Sequence, residues 1–153
     1  MNWDQYFLDL SNVVASNSKC LSRKVGAVVV RDKSVISVGY NGPARGVPPC
    51  CQWPGNKSYM CPRKDRGYKT GEGLEFCPAA HGEANAVNNA ARNGIMLLGA
   101  TMYMNCSVPC KNCLTAIINS GISDIVVTGM EYYDTISEYI IKTSGLKVRV
   151  YNI

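Results

Sequence analysis

The chain has 153 residues, 46% of them hydrophobic, which is enough for one ordinary core and too few for two independent domains. Sixteen basic residues against eleven acidic ones give a net charge of +5, much of it between Lys57 and Lys69; this suits an anionic ligand and leaves open whether that is a nucleotide or a nucleic acid. An apolar run of about 18 residues, the length of a membrane-spanning helix, is absent.

Trp3, Tyr6, Phe7, Leu10, Val13 and Val14 recur at intervals of three and four and predict an amphipathic helix over residues 3–16. The same stretch carries Asp4 and Asp9 where a secretory leader would be basic, so a cytoplasmic, reducing setting is expected. In that setting the eight cysteines read as metal ligands or reactive thiols rather than disulfides. VGAVVV and VISVGY flank the turn RDKS and predict a β-hairpin. GYNGPARG then forces an irregular loop, and residues 42–80 form a long insertion rich in Pro, Gly and Cys, a length that a compact domain keeps for ligand or metal binding.

AHGEANAVNNAARNG predicts a helix over about 82–93, stopped by Asn93-Gly94. A strand at ATMYM, a helix from about Lys111, a strand at DIVVTG, a helix over about 135–143 and a strand at KVRVY come next. Single helices between strands predict a sheet with helices on its faces, partly antiparallel because of the hairpin, in one domain over residues 1–153.

His81 is the only histidine. It opens one predicted helix, while Cys110 and Cys113 sit at the start of another. Helix N-termini favour thiolates and anions, so two of them can converge on one cation. One nitrogen and two sulfurs leave a fourth tetrahedral position free, as in catalytic zinc, where the metal lowers the pKa of water toward neutrality. Glu83, in the first turn after His81, is the expected proton shuttle. Cys106 is the one nearby thiol that would instead close the site as a non-catalytic zinc staple.

HGEANA followed by PCKNC resembles the zinc-dependent cytidine and deoxycytidylate deaminases, whose signature is H-x-E with P-C-x-x-C. Within them the chain resembles the deoxycytidylate deaminases, phage members included, along nearly its whole length. The resemblance rests on SRKVGAVVV, GYNGPARG, HGEANAVNNAARNG, ATMYMNCSVPCKNC and GISDIVVTGMEYYD. It implies a three-layer α/β/α sandwich around a mixed five-stranded sheet, and hydrolysis of dCMP to dUMP.

By the same resemblance Ser22 and Lys24, with Arg23 behind them, are expected at the 5′ phosphate, Asn41 at the sugar, Tyr132 or Tyr133 at the pyrimidine, and Arg92 near the pocket. It further implies a hexamer activated by dCTP and inhibited by dTTP, with Mg2+ and a regulatory pocket framed by Gly42, Ala44, Arg45 and Gly46. A second zinc is expected from Cys20, Cys50, Cys51, Cys61 and Cys77, all thiolate because no histidine is left for it. The rival substrate, adenosine or cytosine within tRNA or a single strand, fits the charge equally but matches GYNG and the cysteine-bearing insertion less well.

Overall fold

A computed structural model describes residues 1–152. Helix α1 (Trp3–Ala15) starts at Asn2, whose side chain accepts from the Gln5 N–H at 2.8 Å. Strands β1 (Gly26–Arg31) and β2 (Ser34–Tyr40) form the expected hairpin, and its two-residue turn holds Asp32 and Lys33 at positive φ. After the insertion come α3 (Gly82–Arg92), β3 (Thr101–Met104), α4 (Lys111–Asn119), β4 (Asp124–Val127), α5 (Thr135–Ser144) and β5 (Lys147–Val150). The insertion is less shapeless than its composition predicts. Pro62, at the first helical position, starts a one-turn helix α2 (Pro62–Asp65), and 3-10 turns form at Cys50–Gln52 and Leu74–Phe76.

The five strands lie in the order β2-β1-β3-β4-β5, with β1 antiparallel to both neighbours and β3, β4 and β5 mutually parallel. This is the mixed five-stranded sheet of a three-layer sandwich. Side chains alternate across the pleat. Val28, Val30, Tyr103 and Val126 meet Phe7 and Leu8 of α1 on one face; Ala27, Val29, Met102, Met104, Ile125 and Val127 meet α3 and α4 on the other.

Two glycines set how closely the helices approach. A Cβ on Gly39 would stand 2.2 Å from the Ala86 nitrogen, and one on Gly26 2.1 Å from the Ser11 carbonyl oxygen, so α3 and α1 rest directly on strand backbone. Asn89 and Asn85 of α3 donate to the carbonyls of Val38 (2.7 Å) and Tyr40 (2.8 Å), and Ser37 of β2 donates to the Ala86 carbonyl at 2.7 Å. The start of α3 is thereby pinned at the carboxyl end of β2. Among the described residues no helix is long and apolar enough to cross a membrane.

Candidate metal centre

His81 is the N-cap of α3 and Cys110 the N-cap of α4, with Cys113 in the first turn of α4. The two helix starts converge. His81 Nδ1 lies 3.5 Å from Cys110 Sγ and 3.4 Å from Cys113 Sγ, and the three ligand atoms fall within 4.8 Å of one another, the one such group of three among the described residues. Zinc bonds of about 2.3 Å to sulfur and about 2.0–2.1 Å to nitrogen, at tetrahedral angles, separate N and S by about 3.5–3.6 Å. The donor set therefore fits zinc in both chemistry and spacing.

Electrostatics fit as well. The Cys110 thiol is pulled down to about 4, first by its hydrogen bond with Cys113 and then by His81, while Cys113 is pushed up by the same bond and by burial. A cation bound between them would favour the thiolate form of both. His81 is raised, chiefly by its contact with Cys110.

Glu83 is only 5% exposed, and burial raises its carboxyl above the ordinary range. The charges of His81 and Arg23 oppose this rise and that of Cys110 adds to it. Cys106 is buried and pushed up to about 12 by that burial, and it lies outside the three-ligand group.

The family model for the cytidine and deoxycytidylate deaminase zinc-binding region matches residues 1–129. The chain belongs to this deaminase family. It is 38% identical over 130 residues to the deoxycytidylate deaminase of Mycobacterium phage D29, covering 82% of this chain and 93% of that protein. It is 35% identical over 151 residues to the deoxycytidylate deaminase of Saccharomyces cerevisiae, covering 99% of this chain but 45% of the yeast protein, so it spans about half that relative's length. The dCMP deaminase of cyanophage S-TIM5, solved in complex with dCMP and dUMP, shares the fold with a TM-score of 0.74 at 22% identity, covering 96% of this chain and 95% of that one.

Around the candidate metal centre, Tyr133 stands edge-on to His81 with ring centroids 6.3 Å apart, and the adjacent Tyr132 is exposed. Ser22 is half-buried, and Arg23 and Lys24 are exposed beside it. Asn41 has its side chain engaged with backbone: Oδ1 accepts from the Val25 N–H at 2.9 Å and Nδ2 donates to the Arg23 carbonyl at 2.8 Å. Arg92 sits at the far end of α3, about 16 Å along the helix axis from His81, and is not brought to the cluster within one chain. Gly42 bridges to Ala80, and Arg45 donates to Asn89 at 2.8 Å, so the 42–46 loop lies against α3.

Cys20, Cys50, Cys61 and Cys77 line one small pocket, of about 40 Å³, together with Asn41 and Arg63. Burial raises the Cys50 thiol, and the neighbouring Cys61, Cys77, Cys51 and Cys20 add to the rise. Cys61 is lowered on balance: its burial is outweighed by hydrogen bonds from the Lys64 and Arg63 backbone and from the Arg63 side chain.

Three further residues shape the site without standing out in the sequence. Arg63 is the residue of the basic stretch whose charge reaches His81, and its buried Nε has no hydrogen-bond partner. Asp134 caps α5 through Ser137 and also accepts from the Lys111 N–H at 3.3 Å, tying α5 to the start of α4; the cap pattern Asp-Thr-Ile-Ser was its available signal. Asn105 had no signal in the sequence.

Proposed function

We propose that this chain is a zinc-dependent deoxycytidylate deaminase, a single cytoplasmic domain that hydrolyses dCMP to dUMP and ammonia. The observation that carries the reading is the three-ligand group at zinc spacing, with the buried Glu83 carboxyl in the turn after its histidine. His81, Cys110 and Cys113 would hold the metal, which when bound supplies Lewis acidity and brings the pKa of water toward neutrality.

Glu83 takes one proton from the attacking water and delivers it to the pyrimidine ring nitrogen as oxygen adds at C4; it then takes the remaining proton from the new C4 hydroxyl and passes it to the amine, so that the C4–N bond breaks, ammonia leaves and a C4 carbonyl remains. Its burial favours the protonated form it must adopt midway. Tyr133 closes the pyrimidine side next to His81, and Ser22, Lys24 and Arg23 meet the 5′ phosphate. Asn41 serves the sugar end and supports the 23–25 segment beneath it, whereas Arg92, expected near the pocket by resemblance, stands at the opposite end of α3 from His81 and is given no substrate role. Phage and yeast relatives named deoxycytidylate deaminase, together with the fold shared with a dCMP-bound structure, support this substrate.

The place of Cys106 outside the group of ligand atoms formed by His81, Cys110 and Cys113 speaks against a closed, non-catalytic zinc staple. Regulation by dCTP and dTTP with Mg2+ in a hexamer rests on the family resemblance, with Gly42, Ala44, Arg45 and Gly46 as the regulatory loop. A second zinc, held by Cys20, Cys50, Cys61 and Cys77 with Cys51 beside them, is supported by their shared pocket.

The test is ammonia release from dCMP, deoxycytidine and a cytosine-containing single strand, each with and without dCTP plus Mg2+. Preference for dCMP with stimulation by dCTP is expected. Turnover on the strand alone would overturn the substrate and leave the metal chemistry standing.

A further inference from the structure

The segment leading into β1 carries Ser22, Arg23 and Lys24, and it is held by two asparagines at once. Strand β1 lies between β2 and β3, and each neighbour ends just before an asparagine: Asn41 comes after Tyr40, and Asn105 after Met104. On one edge, Asn41 accepts from Val25 N–H and donates to the Arg23 carbonyl. On the other, Asn105 Oδ1 accepts from Gly26 N–H at 2.9 Å, and Nδ2 donates to the Lys24 carbonyl at 3.4 Å and to Asn12 Oδ1 at 3.1 Å.

The alternation is what extended backbone requires, because the polar groups of successive residues point to opposite edges of a strand. Residues 23 and 25 therefore face Asn41 while residues 24 and 26 face Asn105. Both carboxamides meet an N–H with their oxygen and a carbonyl with their nitrogen, as an amide's one acceptor and one donor end require. Main-chain bonds extend the same pairing: Asn41 N–H donates to the Val25 carbonyl at 3.1 Å and Asn105 N–H to the Gly26 carbonyl at 3.4 Å. Each side chain thus prolongs the sheet where the strand beside it has ended.

Asn105 differs from Asn41 in the loop it opens. The chain runs on through Cys106 and Ser107 to Cys110 and Cys113, so the residue bracing the 24–26 edge begins the loop that delivers two metal ligands. The start of α3 touches the same segment: a Cβ on Gly82 would lie 3.1 Å from the Val25 carbonyl oxygen.

We propose that Asn105 is a positioning residue that fixes Ser22–Lys24 relative to the metal-ligand loop and thereby sets recognition of the substrate's 5′ phosphate. The inference rests on the deaminase reading above, since it presumes a phosphorylated nucleoside in that cleft. Its removal acts on how tightly the phosphate is met and not on the chemistry at C4, so it separates KM from kcat.

The experiment compares N105A, and N105D as a near-isosteric second variant, with wild type in the zinc-loaded enzyme, using dCMP and deoxycytidine as substrates. Aspartate keeps an acceptor for Gly26 but loses both donations. For each variant the expected result is a KM for dCMP raised about tenfold, a kcat within about threefold, wild-type zinc content, and a preference for dCMP over deoxycytidine reduced about tenfold. Unchanged preference in both variants, with wild type selective, overturns the positioning role and leaves the deaminase reading intact. Loss of kcat together with zinc in both overturns it too, because Asn105 would then serve the metal loop. A wild type that does not favour dCMP removes the substrate reading and this inference with it.

Discussion

Two groups of cysteines in this chain share their chemistry and differ in their scaffolding. Cys110 and Cys113 lie on one helix start, opposite a histidine on another, and both helices are seated on the sheet, so three ligand atoms are at zinc spacing before any metal binds. Cys20, Cys50, Cys61 and Cys77 come from four separate loop segments whose longest helix is the four-residue α2. They share a pocket, yet no three of their ligand atoms fall within the 4.8 Å reached by the first group. Regular structure preorganises the first site; whatever occupies the second must draw its ligands together.

The largest effect expected from breaking this contrast is at Glu83. E83Q keeps the ligand group intact and is expected to reduce dCMP turnover by about 10²–10⁴-fold with zinc content unchanged, checked by steady-state kinetics and metal analysis. The same variant has an opposite effect on the metal-free protein. Burial raises the Glu83 pKa, so wild-type stability falls as pH climbs from the unfolded carboxyl value, about 4.3, through the raised folded value. Metal-free E83Q is expected to melt above wild type at neutral pH, the gap vanishing below about pH 4.

Next comes the looser group. C61S is expected to lower the thermal midpoint by roughly 5–10 °C and to expose residues 42–80 to limited proteolysis, while kcat for dCMP changes less than about threefold. A collapse in kcat at full occupancy of the His81 site would mean that the two groups are not independent.

G39A tests the platform under the first group. The added Cβ would meet the Ala86 nitrogen at 2.2 Å, and chemical denaturation should show a loss of about 1–3 kcal/mol. The smallest effect is far from both groups, at the Asp4–Arg149 ion pair, where Tyr103 also donates to Asp4 at 2.8 Å. Asp4 is held low, chiefly by its hydrogen bond to Arg149. Its contribution is therefore present above the unfolded aspartate value of about 3.9 and lost as pH falls through the lower folded one. D4N should cost about 1 kcal/mol at neutral pH, reduced because the pair is partly exposed, and progressively less in acid.

The contrast also explains what could be read from the chain alone. Apolar runs, helical period and turn chemistry revealed every strand and the four long helices, because VGAVVV and VISVGY are β-rich runs on either side of a short turn and because Asn93-Gly94 is a helix stop. His81, Glu83, Cys110 and Cys113 were legible because local spacing puts them at helix starts. What stayed hidden depends on the relation between distant segments. Tyr133 rather than Tyr132 faces His81 only because of how the 128–134 loop returns. Asn41 and Asn105 brace one backbone segment only because β2 and β3 both end level with it. Arg63 is indistinguishable by sequence from the other cations between Lys57 and Lys69 until α2 turns it toward Cys61.

The most direct test of the central claim is dUMP formation from dCMP by metal-depleted protein to which zinc is returned, in wild type and in a C110S/C113S variant that keeps every insertion cysteine. The account predicts that zinc restores turnover to wild type and none to the variant. Restored turnover in the variant, or a wild type that stays inactive with its His81 site filled, would contradict it.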